Sequence, residues 1–394
     1  MSTNPSSDTP SNPGAPAKTF PGKNSFNRME WAGAFGDLGT LIPFVIAYIT
    51  LLKMDPLGIL FSFGLCMIAA GFYYRTPIPI QPMKAIGTSA ITHAASITPA
   101  MVIGAGLATS VIWLLLGLTN TVTWVTRLAT KPIVRGIVLG LGLSFILHGV
   151  KMMDSDWPLA ALALLVTFLL LSNPKIPAMA VLLLLGIAAH AINSHEFWQE
   201  LAQIHIGFRM PSFSLTQLTW KDFLSGTLLL AIPQLPLTLG NAVIAMTDEN
   251  NQLFPDRPVT ARKLAVSHGL INALSAPLGG IPLCHGAGGM AGHVRFGART
   301  GGALIILGGI LLLVAFFFSD SVEIILKVFP EAVLGVILFF AGAELARGIK
   351  DLSAEKGEIY VMVVVAGFAL WNMGAAFLVG IILDFTLRRG WIKV

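Results

Sequence analysis

Charge is what this chain has least of. Asp, Glu, Lys and Arg together make up 11% of its 394 residues, where a soluble domain carries about 25%. With 55% hydrophobic residues and a mean hydropathy of +0.76, the composition excludes a soluble fold and implies a polytopic α-helical membrane protein. Cysteine is nearly absent too. Cys66 and Cys284 both fall in apolar or broken stretches, which fits buried thiols better than a disulfide or a metal site. The sequence offers no nucleophile–base pair, no His/carboxylate metal constellation, no Walker A phosphate loop and no cofactor motif. Neither an enzyme nor a bound cofactor or metal is expected. No apolar run of signal-peptide type opens the chain, and the first arginine is Arg28, which argues against a signal or transit peptide. The net charge of +5 fits basic loops beside a membrane and is no evidence for nucleic acid.

What the chain has is a series of apolar segments. Residues 1–27 are rich in Ser, Pro, Asn, Thr and Gly and are expected to be a disordered tail. Seven segments follow, at about 29–50, 57–74, 77–95, 99–121, 133–150, 157–173 and 177–193. A polar and aromatic connection over 194–221 reads as a loop, with room for an interfacial helix. Seven more segments follow at about 222–246, 263–277, 279–292, 300–318, 322–346, 359–371 and 373–388, with a polar loop over 247–262 and a short tail at 390–394. The repeats are thus 28–193 and 222–389. In each, Pro or Gly interrupts the first segment and the third is broken. Pro79 and Pro282 lie 203 residues apart, and neighbouring segments keep a similar offset. Interrupted segments at matching positions of two halves point to a transporter site at the repeat interface. Seven segments per half, an odd number, require the second half to be inverted. With the N-terminus inside, nineteen Lys and Arg residues fall on the cytoplasmic side and five outside, so both termini are expected in the cytoplasm.

The broken segments carry the chemistry. Pro77, Pro79 and Pro82 cannot lie within one regular helix. Residues 77–81 should be extended and a half-helix should start near Pro82. Broken backbone at membrane depth is tolerated only when buried in protein or lining a wet cavity. The half-helix start presents free N–H groups and a partial positive charge, and Lys84 adds a full one. That is an anion site near the bilayer midplane. Lys84 either meets the anion, is neutralised by Asp37, or does both in alternation. Asp37 itself is a helix cap, a neutralising partner, or a coupling site for a proton or cation. Gln81 can donate to an oxyanion or bond the local backbone. Gln234 and Asn241, seven residues apart, share a helix face; Thr40 and Thr238 add hydroxyls. Polar interhelical contact is the plainer reading of these four. His285 can donate or titrate in the second broken segment, where Gly286, Gly288, Gly289 and Gly292 permit close packing or backbone approach to a ligand. His93, His148, His190 and His268 read as packing or interfacial residues. Glu344 is a coupling candidate, with pairing to Arg347 as the plainer alternative.

Four motifs resemble one family. They are Phe35-Gly36-Asp37-Leu38-Gly39-Thr40-Leu41-Ile42-Pro43; Pro79-Ile80-Gln81-Pro82-Met83-Lys84; Gln234-Leu235-Pro236-Leu237-Thr238-Leu239-Gly240-Asn241; and Pro282-Leu283-Cys284-His285-Gly286-Ala287-Gly288-Gly289-Met290-Ala291-Gly292, continuing into Arg295-Phe296-Gly297-Ala298-Arg299. They look like the molybdate transporter family related to the SulP sulfate permeases, over about residues 28–389. The resemblance implies an all-α, seven-plus-seven inverted-repeat fold like that of uracil permease. It implies a core of segments 1–4 and 8–11 moving past a gate of segments 5–7 and 12–14. The substrate would sit between segments three and ten, against Pro82, Met83, Cys284, Ala287 and the residues named above. It admits a homodimer and a plasma-membrane location. SulP permeases usually add a cytoplasmic STAS domain. This chain ends about six residues after its last segment, so that domain, and regulation through it, is expected to be absent. Sulfate or tungstate in place of molybdate, a nucleobase permease and a channel are the alternatives. The nucleobase branch expects carboxylates where this chain has Gln234 and His285.

Overall fold

The computed structural model describes residues 23–92, 94–128, 130–171, 173, 176, 178–193, 197–347 and 355–392. The tail to residue 22, the last two residues and the side chain of Glu344 lie outside them. The first apolar segment is two helices, α1 (Arg28–Ala34) and α2 (Leu38–Thr50), bent by 42° at Phe35-Gly36-Asp37. The bend follows from a close crossing, because a Cβ on Gly36 would stand 2.5 Å from the Gly292 carbonyl. Helix α3 (Pro56–Tyr74) starts where Asp55 accepts from Leu57 N and Pro56 needs no donor partner. Then come the two-residue strand β1 (Gln81–Pro82), α4 (Lys84–Thr92) and α5 (Pro99–Leu118), whose cap is Thr98. The half closes with α6 (Thr121–Thr126), α7 (Lys131–Met153), α8 (Trp157–Leu170) and α9 (Ala178–Asn193).

The connection is more built than its sequence indicates. After α10 (Phe197–Ala202), Gly207 N and Arg209 N donate to Phe317 O and Phe316 O, and the Arg209 guanidinium joins Asp55 (3.0 Å) and Asp320 (2.7 Å). The second half has α11 (Trp220–Leu253), α12 (Ala261–Ser275), β2 (Leu283–Cys284), α13 (Ala287–Arg295), α14 (Gly302–Phe318), α15 (Val322–Lys327), α16 (Glu331–Ala346), α17 (Lys356–Trp371) and α18 (Met373–Arg388).

Three expectations need correction. The eighth segment is not interrupted: α11 is one helix of 34 residues. It absorbs Pro233 and Pro236 through π-turns at Thr227–Ala231 and Thr238–Ala245, which widen the spiral around the missing hydrogen bonds. The loop expected from 247 begins only after Leu253. Conversely, the segment expected over 322–346 is cut in two ahead of Pro330, as proline requires.

The inversion is visible in which helices pack. α3 lies on α14 and α5 on α12; exchanging the halves turns one pair into the other. α7 lies on α16, a pair that maps onto itself, and α7 with α17 maps onto α16 with α8. The two self-mapping contacts, α7–α16 and β1–β2, mark the pseudo-twofold axis. Glycines set the closest crossings. A Cβ on Gly64 would lie 2.7 Å from Gly308 O, and one on Gly149 would lie 2.6 Å from Gly335 O. The same pairings split the bundle. α3, α5, α12 and α14 form one group, α7, α8, α16, α17 and α18 another. The buried Arg135 of α7 pairs with Asp248 of α11.

Outside, large apolar side chains face outward, among them Leu115, Phe168, Leu184, Leu228, Leu313 and Ile382. Among the described residues, five helices are long and apolar enough to cross a membrane, six if α1–α2 counts as one span. The protein is an integral membrane protein.

Candidate functional site

The two broken segments meet at the pseudo-twofold axis. β1 and β2 pair antiparallel, Gln81 opposite Cys284 and Pro82 opposite Leu283. Met83 N donates to Pro282 O at 2.9 Å, and the Cys284 thiol donates to Pro82 O. Each segment thus satisfies the other's backbone, which is what allows non-helical chain at this depth. Because the strands are antiparallel, α4 and α13 leave the crossing in opposite directions with their N-termini beside it.

Both N-termini are capped by carboxamides from α11. Gln234 Oε1 accepts from Ala85 N (2.8 Å) and Ile86 N (3.4 Å). Asn241 Oδ1 accepts from Ala287 N (3.1 Å). Seven residues along a helix span about 10 Å, so one helix reaches both half-helix starts. The seven-residue spacing therefore has a use other than a shared anion-facing surface. Thr238 is part of the same device, its hydroxyl accepting from Gln234 Nε2 at 2.9 Å.

Asp37 and Lys84 do not pair. Both Asp37 oxygens accept from Gln81 Nε2, at 2.7 and 2.8 Å. The carboxylate lies against α13, where a Cβ on Gly289 would be 2.7 Å from it. The Lys84 ammonium is buried and has no hydrogen-bond partner among the described residues. It sits 3.9 Å from the centroid of the Phe145 ring of α7. That ring also touches the start of α13, since a Cβ on Gly288 would lie 2.2 Å from it. Two more buried polar atoms here lack partners among the described residues, Thr40 Oγ1 and Gln81 Oε1. Gln81 Oε1 abuts Gly286, whose absent Cβ would stand 1.9 Å away. Buried polar groups are normally paired, and these three, on the first and third segments, have no hydrogen-bond partner among the described residues.

His285 is placed differently from expectation. Its Nδ1–H donates to Pro79 O at 2.9 Å, and Ser267 donates to its Nε2 at 2.7 Å. With both ring nitrogens engaged by protein, the imidazole braces the broken strand and does not face the ligand space. His268, read as a packing residue, accepts from His285 N at 3.1 Å and donates to Leu264 O. Met83, Cys284 and Ala287 are fully buried around the crossing.

Sequence reasoning passed over Phe145, His293 and Glu30. His293 donates to Gly33 O at 2.8 Å, and its Nε2 has no partner among the described residues. Glu30 accepts from Arg299 N, Thr300 N and Ala303 N, tying α1 to the start of α14. A glutamate ahead of an apolar helix gave the only available signal, since a buried carboxylate needs such donors.

A family profile described as "Molybdate transporter of MFS superfamily" matches residues 29–145 and 226–345. The chain belongs to the molybdate transporter family. The matched stretches carry all four motifs and leave out the connection. Among this family's members, "Molybdate transporter 2" of Arabidopsis thaliana is 32% identical over 91% of this chain and 87% of its own length. "Molybdate transporter 1" of the same plant is 31% identical over 88% and 85%. The family is one of transporters, not of enzymes. In three dimensions the chain resembles the transmembrane domain of the cyanobacterium bicarbonate transporter BicA. The TM-score is 0.56 at 15% identity, over 90% of this chain and 96% of that one. It also resembles murine Slc26a9 in the inward-facing state, with TM-score 0.58 at 13% identity, over 94% and 70%. At such identity the likeness shows the fold alone. It is the inverted-repeat fold expected from the motifs. An inverted repeat is unlike the parallel halves of a major-facilitator transporter.

Proposed function

We propose that this member of the molybdate transporter family is a secondary active importer of molybdate, holding the oxyanion between the N-termini of α4 and α13. The observation that carries this is the buried Lys84 ammonium, without a hydrogen-bond partner among the described residues, at the meeting of two half-helix starts. A tetrahedral dianion offers four acceptor oxygens. Lys84 would take one, and Thr40 Oγ1, without a hydrogen-bond partner among the described residues, would offer a further donor. Backbone N–H groups of Ala85, Ile86 and Ala287 become available once the carboxamides of Gln234 and Asn241 swing aside. Replacing a neutral acceptor by an anion strengthens those bonds, so the caps act as stand-ins. Pro82, Met83, Cys284, Gly286 and Gly288 shape the space.

Transport would move the core, with α4 and α13, past the gate built on α7 and α16, as a near-rigid body. Asp37, and Glu344 in α16, are the coupling candidates. Both termini would be cytoplasmic, by the loop charges, and the membrane would be the plasma membrane, as the family resemblance admits. The protein would work as a monomer or homodimer, without nucleic acid.

Labelled molybdate uptake into proteoliposomes, competed with sulfate, tungstate and uracil and run with and without a pH gradient, tests the reading. We expect accumulation that tungstate and sulfate inhibit and uracil does not. Inhibition by uracil alone, or flux that only dissipates gradients, would overturn it in favour of a nucleobase permease or a channel.

A further inference from the structure

Phe145 stands against both half-helix starts. It belongs to α7, in the gate group, yet its ring lies between two core elements. On one side is the Lys84 ammonium, 3.9 Å from the ring centroid; on the other is Gly288, where even a Cβ would approach to 2.2 Å. The ring is buried and lies against an ammonium that has no hydrogen-bond partner among the described residues. An ammonium over an aromatic face is attracted by the ring's quadrupole, most strongly where water is excluded. The backbone allows the approach because position 288 has no side chain.

We infer that Phe145 is a place-holder for the substrate: ring and oxyanion compete for Lys84, and exchanging one for the other decides whether the core is held by the gate. This deepens the oxyanion reading and rests on it. Without substrate, the Lys84–Phe145 contact joins α4 to α7 and stills the core. A dianion offers Lys84 a full counter-charge, which an aromatic face cannot match. The ring is then expelled and the principal contact between Lys84 and the gate is lost. Core motion thereby becomes conditional on a bound anion. A chain without the ring should bind more tightly, because nothing must be displaced, and should move without being loaded.

The test replaces Phe145 with mono-, di- and trifluorinated phenylalanine, which keep the ring's shape while draining its face, alongside Phe145→Leu. Molybdate affinity is read by calorimetry. Core position is read by labelling a cysteine placed at the core–gate boundary. The expected result is a graded tightening of Kd with each fluorine. In Phe145→Leu it reaches about 30-fold, the equivalent of ~2 kcal/mol at 1.4 kcal/mol per tenfold. Cysteine labelling should respond to molybdate in the wild type and lose that response as fluorines are added. The fluorinated series retains the packing, so it remains informative if the leucine variant folds poorly. Wild-type binding with an affinity that stays constant or weakens along the series would overturn the role of Phe145 alone. Absence of molybdate, tungstate and sulfate binding to the wild type would overturn the oxyanion reading, and the competition with it.

Discussion

Replacing Lys84 by methionine separates a ligand-binding lysine from a structural one by the sign of its effect. The ammonium is buried without a hydrogen-bond partner among the described residues, and its close neighbour is the Phe145 ring at 3.9 Å. A buried unsatisfied polar group costs about 1–3 kcal/mol, and more when charged. A desolvated cation–π contact returns roughly 2 kcal/mol. Methionine fills the space of the lysine stem without the charge. The substitution removes a penalty of about 3 kcal/mol or more and a contact of about 2. The substrate-free protein should therefore be as stable as the wild type or more so, by roughly 1 kcal/mol. Had Lys84 been the ion-pair partner of Asp37, the sign would reverse. Breaking a buried pair strands the other charge, at about 3–5 kcal/mol. The structure gives Asp37 to Gln81 instead. Binding should move the other way: a charge-assisted hydrogen bond is worth about 1.5–3 kcal/mol, so Kd should weaken roughly 10- to 150-fold. Thermal unfolding with and without molybdate, beside calorimetry, reads both quantities. A variant that melts well below the wild type without ligand, yet binds molybdate normally, would refute the reasoning on both counts.

Two further substitutions probe the polar groups around that lysine. Gln234→Ala uncaps Ala85 N and Ile86 N, and we expect it to destabilise the substrate-free protein by about 0.5–2 kcal/mol. Molybdate should stabilise this variant more than the wild type; an equal gain in melting temperature would show that the anion does not use those donors. Asp37→Asn should bind molybdate at least as tightly as the wild type and fail to accumulate it against a gradient. Normal accumulation in vesicles, across a pH series, would remove Asp37 from coupling.

The broken segments were legible because proline acts through covalent geometry. Pro77, Pro79 and Pro82 fix an extended chain and a helix start whatever surrounds them, and the observed strand and half-helix fall there. The same residue misled in α11. Pro233 and Pro236 lack donors just as Pro79 does, but a π-turn can absorb that loss when tertiary packing holds the helix together. Gln234 and Asn241 were legible as polar residues sharing a helix face, but not as the caps of two half-helices. A carboxamide can donate or accept, and only the position of the helix N-termini decides that the oxygen faces them. Phe145 left no trace, because an aromatic in an apolar helix reads as core. Its function arises where the gate meets a lysine sixty-one residues earlier in the chain. The supposed Asp37–Lys84 pair failed for a related reason. Opposite charge in one broken region is only an opportunity for contact. The turn from strand to helix sends Gln81 toward Asp37 and Lys84 toward α7.

The arrangement of charge at the crossing bears on which anion fits and on how transport is driven. The backbone is nearly symmetric about the pseudo-twofold axis, with a paired strand and a capped half-helix on each side. The side chains are not. The first half supplies an ammonium at Lys84, where the second supplies Ala287. Two helix N-termini contribute roughly half a positive charge each, and with Lys84 the ligand space faces about +2. That matches a tetrahedral dianion and leaves a monoanion uncompensated by one charge. Asp37 stands behind the second half-helix, against Gly289. When ionised it lowers the sum to about +1; when protonated it restores the match. On the proposed reading its carboxyl, held by Gln81 just ahead of Lys84, would make dianion binding and proton uptake favour each other. By linkage the reverse must hold equally, so a bound dianion would draw a proton onto the site. An asparagine there would keep the charge match permanently and remove the proton. This is why tight binding without accumulation is the outcome expected of Asp37→Asn.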